Sequence, residues 1–262
     1  MAEGTAPGPL PAFFDLQAPS SWHTIDFISD LHLCELLPRT FDAFVSHLGH
    51  TQADAVFILG DLFEVWVGDD MQTRAFERQC VAQLAHAAKR RSLYFMVGNR
   101  DFLVGPALLQ QSAMQGLPDP TVLEACGRRV LLSHGDELCL SDTPYQAFRR
   151  EVRSPAWQTN FLARPLAERL RIAAEIRHVS QTRRQFDGAA DSDIDGDEAL
   201  RWMRAAGVHE MVHGHTHRPG SNALAPGMMR HVLSDWDLDQ AARAEVLRLT
   251  RHGFERLPPI RA

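Results

Sequence analysis

The stretch Asp54-Ala55-Val56-Phe57-Ile58-Leu59-Gly60-Asp61 constrains this chain more than any other. Its continuous apolar run, rich in β-branched and aromatic residues, predicts a strand buried on both faces, and it stops on a glycine followed by a carboxylate. Asp61 therefore belongs at a strand's C-terminal end, the edge of an open α/β sheet where ligands bind. Four further segments end in the same manner. Thr24 to Ser29 leads into Asp30-Leu31-His32, Tyr94 to Gly98 into Asn99-Arg100-Asp101, Val130 to Ser133 into His134-Gly135-Asp136, and Met211-Val212 into His213-Gly214-His215-Thr216-His217. Five strand ends thus point Asp, His and Asn side chains toward one edge.

The connecting segments fix the class as α/β. From Pro38 to about Gly49 the apolar residues Phe41, Phe44, Val45 and Leu48 recur at helical spacing, which predicts a strand-helix-strand unit with parallel strands. Residues 72 to 90 repeat the unit. Residues 1 to 21 carry Pro7, Pro9, Pro11 and Pro19 among small residues and predict an irregular N-terminal extension without an assigned role, ahead of one domain over 22 to 262.

From 143 to 185 helical spacing is unbroken except at Pro144, Pro155 and Pro165, which predicts an inserted cap of short helices. The cap holds nine arginines, no lysine and three acids, a formal charge of +6, against -12 for the rest of the chain. A solvated helix surface explains that charge; so does a lid facing an anionic ligand or an anionic membrane surface, with Trp157, Phe161, Leu162, Leu166, Leu170 and Ile172 as its apolar side. Beyond it, Asp191-x-Asp193-x-Asp195-Gly196 imitates the start of a calcium loop, but Trp202 stands where a bidentate Glu is required. These acids are expected to open a helix instead.

Composition removes several function classes. A net charge of -6 argues against general nucleic-acid binding. The cysteines Cys34, Cys80, Cys126 and Cys139 include no C-x-x-C pair, so neither a zinc knuckle nor a disulfide framework is expected. No lysine or arginine precedes Arg39, so the charged start of a signal peptide is not expected. No apolar run approaches the ~18 to 20 residues needed to span a bilayer, so any membrane is met from the side.

Asp30-x-His32 and His215-x-His217 each place two donors on one side of an extended backbone. Either motif alone is more often structural; together, each at a predicted strand end, they are specific. Asp30, His32, Asp61, Asn99, His134, His215 and His217 suffice for two metals if one carboxylate bridges, and Asp61 at the middle strand is the natural bridge.

This series resembles the calcineurin-like metallophosphoesterase superfamily. Ser29 to Leu33, Leu59 to Glu64, Gly98 to Leu103, His134-Gly135-Asp136 with Tyr145 to Arg149, and His213 to Pro219 are most similar to its lipid A biosynthesis branch, whose members carry Gly-Asn-Arg-Asp where most of the superfamily has Gly-Asn-His. The resemblance spans about residues 24 to 236. It implies a β-sandwich flanked by helices with an inserted helical cap, one metal on Asp30, His32, Asp61 and His217, and a second on Asp61, Asn99, His134 and His215, both manganese. It further implies that a two-metal-activated hydroxide splits UDP-2,3-diacylglucosamine into UMP and diacylglucosamine 1-phosphate at the cytoplasmic face of the inner membrane. Asp61 and Arg100 are then catalytic. Asn99, Arg100, Asp142, Ser180, Arg184 and His215 would contact substrate, and Asp187 stands where the branch has a cation. No obligate protein partner is implied. The rival readings are a metallophosphoesterase acting on another nucleotide pyrophosphate or phosphodiester, and a protein-binding module on the same fold, which would ordinarily have lost ligands.

Overall fold

The structure is a computed structural model that describes residues 8–187 and 193–260, with side chains of the helix over 166–187 described as far as Val179. Its centre is the pair of strands β2 (Thr24–Ile28) and β3 (Ala55–Leu59), joined in parallel through α1 (Pro38–His50). β4 (Ser92–Met96) adds in parallel after α2 (Ala75–Ala87), and β5 (Gln115–Leu117) follows α3 (Pro106–Ser112). The antiparallel hairpin β11 (Val246–Thr250) and β12 (Gly253–Leu257) completes this sheet, in the order β12-β11-β2-β3-β4-β5. A second six-stranded sheet consists of β1 (Phe14–Gln17), β6 (Thr121–Ala125), β7 (Arg128–Ser133), β8 (Glu210–His213), β10 (Met228–Val232) and β9 (Gly220–Ala225), in that spatial order.

Side-chain alternation in the strands builds the layers. In β3, Ala55, Phe57 and Leu59 face the second sheet and meet Val130, Leu132 and Val212, with Phe57 stacked on Tyr94 at 4.6 Å between ring centroids. Val56 and Ile58 face outward, against Phe44 and Leu48 of α1 and Cys80 and Leu84 of α2. A third core lies on the outer face of the second sheet, where Leu131 and Met211 meet Leu200, Trp202 and Met203 of α7 (Gly196–Ala205). The result is a four-layer sandwich with helices on both outer faces, the class of architecture expected from sequence.

The cap consists of α4 (Thr143–Val152), α5 (Pro155–Leu162) and α6 (Leu166–Asp187). Pro144 and Pro155 stand in the first turns of α4 and α5, where proline is tolerated because those N–H groups have no helical partner. Asp195 opens α7, accepting from the Glu198 N–H at 2.8 Å as its N-cap, whereas Asp193 grips Arg230 of β10 with both oxygens and so ties the loop to the sheet. Asp191 lies outside the described residues.

Two expectations are corrected. The N-terminal segment is not irregular throughout, because Phe14–Gln17 pairs in parallel with Thr121–Glu124 and Phe13 meets Trp202 edge to face. Four alternating residues at a sheet edge are too short to stand out beside four prolines. The apolar side of the cap is not a free surface either: Phe161 is buried, and Trp157, Leu166, Leu170 and Ile172 pack against the body.

A buried ion pair staples β11 to β2. Asp26 is fully buried and receives Arg248 Nε at 2.7 Å, Arg248 Nη2 at 2.9 Å and Thr51 Oγ1 at 2.6 Å, with His47 Nε2 3.2 Å away. Burial works to raise the Asp26 pKa, but the bonds from His47, Arg248 and Thr51 outweigh it and bring it down to about 2. A carboxylate depressed on folding stabilises the native state above its unfolded pKa of about 4, and that contribution is lost as pH falls through about 2. Arg248→Met should therefore cost ~3–5 kcal/mol at pH 7, the penalty for orphaning a buried charge. Urea denaturation should show that the deficit narrows below about pH 4, as Asp26 protonates in the variant.

Candidate metal centre

The C-terminal ends of β2, β3, β4, β7 and β8 open onto one edge of the sandwich, and all seven candidate ligands stand there. Asp30 and His32 follow β2, Asp61 follows β3, Asn99 follows β4, His134 follows β7, and His215 and His217 follow β8. The chain does not stay extended through these ligands. Asp30, His32, Asp61, His215 and His217 all have left-handed backbones, with φ between 49° and 67°. Asp-x-His and His-x-His therefore converge through turned backbone rather than strand alternation, the geometry expected from sequence. Asp and His tolerate that region better than branched residues do, which is one reason these residue types fit the turns.

Backbone bonds hold the turns in register: Asp30 N–H donates to Gly60 C=O at 3.1 Å, His32 N–H to Asp61 C=O at 3.0 Å, and Gly214 N–H to His134 C=O at 3.0 Å. Gly98 is required by proximity, since a Cβ there would lie 2.1 Å from Asp61 Oδ1. Donor atoms of Asp30, His32 and His217 lie within 4.8 Å of one another, as do those of Asp30, Asp61 and His134. Asn99 Oδ1 joins the remainder, 3.0 Å from His134 Nε2 and 2.8 Å from His215 Nδ1. Asp30 is thus common to both carboxylate–histidine groups, and Asp61 belongs to the second.

These residues fit divalent cations. Asp30 Oδ1 is buried without a hydrogen-bond partner; His217 Nε2 lies 3.4 Å away but is not aligned to donate. His32 Nε2 and His217 Nε2 face each other at 3.3 Å, and at most one proton can lie between them. Lone pairs on oxygen and imidazole nitrogen converging in a buried space are what a borderline-hard cation satisfies. Of the outer ring nitrogens, His134 Nδ1 bonds Leu59 C=O at 2.9 Å, whereas His32 Nδ1 and His217 Nδ1 face the carboxylates of Glu64 at 3.3 Å and Asp235 at 3.8 Å without an aligned hydrogen bond, acids standing where outer partners of such ligands belong.

The local field separates the histidines. Burial works to lower the His134 pKa, but the carboxylates of Asp61, Asp136 and Asp30 hold it up at about 9. Burial and the charge on His134 push His215 down to about 4. Burial works to raise the Asp30 pKa, but the His217 imidazole close beside it and the charges of His134 and His32 hold it far below the usual carboxylate range.

The expected substrate contacts divide. Arg100 stands beside the ligands, its N–H donating to Asp61 Oδ1 at 2.8 Å and its Nε buried without a partner. Asp142 is the N-cap of α4, accepting from the Tyr145 N–H at 3.0 Å. The side chains of Ser180, Arg184 and Asp187 lie outside the described residues. Sequence reasoning gave no role to Glu64, Asp101 or Tyr145, although all three stand inside the quoted motifs. Asp101 accepts from four backbone N–H groups under the site, and Tyr145 stacks on His215 at 6.0 Å. Asp235 follows β10, a strand that sequence reasoning did not delineate.

A family model for calcineurin-like phosphoesterases matches residues 23–219. The chain belongs to the calcineurin-like phosphoesterase family. Its relatives include the UDP-2,3-diacylglucosamine hydrolase of Aromatoleum aromaticum, 44% identical over 218 residues that cover 81% of this chain and 89% of that protein. The enzyme of the same name from Chromobacterium violaceum is 42% identical over 237 residues, covering 89% and 98%. That from Xanthomonas oryzae pv. oryzae PXO99A is 41% identical over 240 residues, covering 87% and 95%. These relatives share the name UDP-2,3-diacylglucosamine hydrolase, and the substrate in that name is the one the motif likeness implied.

With His134 protonated up to about pH 9 in the metal-free protein, a cation must displace that proton. Metal affinity should rise with pH between about 6 and 9, and at least one proton should leave at pH 7 when both ions bind, since His217 is also raised and Asp101 stands at about 7. Calorimetric Mn2+ titrations in buffers of different ionisation enthalpy measure that release; buffer-independent heats would show that His134 is already neutral.

Proposed function

We propose that this protein hydrolyses UDP-2,3-diacylglucosamine, adding water across the pyrophosphate so that UMP and 2,3-diacylglucosamine 1-phosphate separate, as a step of lipid A biosynthesis. Arg100 carries the reading. It is a cation with a buried, unpartnered Nε, anchored by its own backbone to Asp61 and adjacent in sequence to Asn99. An arginine so placed can bind the phosphoryl oxygens and favour the charge that develops on them. The relatives' shared name supplies the substrate.

Asp30, His32, Asp61 and His217 would hold one divalent ion and Asp61, Asn99, His134 and His215 a second, with manganese as the ion expected from the family likeness. Such a pair acidifies water and neutralises phosphoryl charge, so no protein nucleophile is needed. Asn99, next to Arg100 in sequence, and His215, 2.8 Å from Asn99, would orient the diphosphate, and Asp142, Ser180 and Arg184 would face the sugar and acyl groups from the cap. The deciding assay is release of UMP from UDP-2,3-diacylglucosamine with and without Mn2+, beside UDP-glucose and cyclic nucleotides. Preference for a nonacylated substrate would overturn the assignment. Asp61→Ala should abolish turnover more completely than any other ligand change, whereas excess Mn2+ should recover part of the rate of His32→Ala.

The cap also supports peripheral docking on an anionic inner-membrane surface. No helix among the described residues is long and apolar enough to cross a membrane. Arginines engaged with the body cannot serve that contact: Arg149 holds Asp136 and Glu137, Arg153 donates to Gly98 C=O at 2.8 Å, and Arg169 and Arg177 pair with Asp70 and Glu64. Arg150 is exposed, as are Arg164 and Arg171 at 49% and 62%, with Leu162 at the end of α5 and Ile176 and Val179 on α6 also exposed. Each arginine near such a surface is worth ~1 kcal/mol, within a screening length of ~8 Å at physiological salt. Reversing Arg150, Arg164 and Arg171 to Glu should weaken low-salt cosedimentation with anionic vesicles while Mn2+ affinity holds; unchanged cosedimentation would remove the membrane contact.

A further inference from the structure

Two histidines of one candidate metal group are braced in different ways. His217 turns its Nδ1 to Asp235, and Asp235 is gripped by Arg243, a residue of the body that follows β10, through Nε at 2.7 Å and through Nη2. His32 Nδ1 faces Glu64 Oε2 at 3.3 Å, an electrostatic contact rather than an aligned hydrogen bond, while the other oxygen of Glu64 pairs closely with Arg177 of α6, in the cap. Glu64 is fixed from below by its N–H, which donates to Leu33 C=O at 3.2 Å. Its side chain is 21% exposed and that of His32 15%, so this chain of contacts is largely shielded from water and weakly screened.

We infer that Glu64 is the joint by which seating of the cap and ion binding at the Asp30–His32–His217 group are coupled. Arg177 docks α6 only where the Glu64 carboxylate stands, and that carboxylate orients the His32 ring toward the ion. Binding free energies are linked reciprocally: if a seated cap strengthens ion binding, a bound ion must hold the cap more firmly by the same factor. The Arg243–Asp235–His217 arm has no cap residue in it and provides an internal control. The inference rests on the metal-binding reading of the site and is independent of the substrate.

Two readouts test it on the full-length protein, and neither is turnover. The first is Mn2+ affinity by calorimetry. Outer partners of metal-bound histidines are worth about 10- to 100-fold in affinity, so Glu64→Gln should lose at least about tenfold. Arg177→Met, one contact further out, should lose about three- to tenfold, and adding it to Glu64→Gln should cost little more. Arg177→Met combined with Asp235→Asn should instead be additive, because those arms share no residue. The second readout is hydrogen exchange over residues 166–179: Mn2+ should slow it in the parent and in Arg243→Met, and leave it unchanged in Arg177→Met. Failure of the parent to bind Mn2+ would overturn the metal reading, and the joint with it. A parent that binds Mn2+ while Arg177→Met keeps its affinity within about twofold, or additive losses in the Glu64–Arg177 pair, would overturn the joint and leave the metal site standing.

Discussion

The buried carboxylate of Asp101 fastens the floor of the site. It accepts from the N–H groups of Gly98 at 2.8 Å and Leu62 at 2.7 Å, and from those of Asp61 and Phe63 at 3.3 Å each. One side chain thereby joins the turn after β3 to the turn after β4, and so sets Asp61 against Asn99 and Arg100. Left-handed backbone at a residue other than glycine costs ~1–3 kcal/mol, and five such residues supply the ligands, so the turns persist only because bonds of this kind over-determine them. Charge works against the same assembly. Burial and the neighbouring Asp61 push Asp101 up to about 7, and a cation above the floor would relieve that repulsion.

The strand ends were legible because a five-residue apolar run stopping on Gly-Asp has few other physical meanings. Leu59-Gly60-Asp61 and Val97-Gly98-Asn99 both became sheet edges carrying polar groups. That the strands divide between two stacked sheets was not legible from the residues; the motif likeness alone implied it, and the return of the late strand β11 to the first sheet carried no signal. β11 pairs with β2 across more than two hundred residues, and its sequence Val-Leu-Arg-Leu-Thr carries no mark of that partner beyond Arg248, whose match in Asp26 appears only once the chain is folded. The ligand turns were legible in position and not in form, because residue types report which side chains converge but not the backbone conformation that makes them do so.

The cap shows where charge counting stops. A sum of +6 states how many arginines there are and leaves open whether each faces solvent, lipid or the protein's own acids. Arg169 is 3% exposed, pairing with Asp70 and donating to Val67 C=O, whereas Arg171 is 62% exposed and pairs only along its own helix with Glu175. Removing the first empties a buried site and strips the buried Val67 C=O of its donor; removing the second changes stability little, since exposed pairs are worth ~0–1 kcal/mol. Two residues apart, identical in type, they answer to different forces.

The contacts that seat the cap fall beside the candidate metal ligands. Arg153 reaches the carbonyl of Gly98, one residue before Asn99. Arg149 binds Asp136, two residues after His134, and Asp136 also takes the Tyr145 hydroxyl at 2.6 Å. Arg177 pairs with Glu64, which faces His32. An anionic head bound at the ions and apolar chains held under the cap would therefore act on one connected set of residues. Packed, bistable contacts transmit small shifts better than a loose tether does, so a substrate engaging both ends would be bound cooperatively, each end improving the geometry offered to the other.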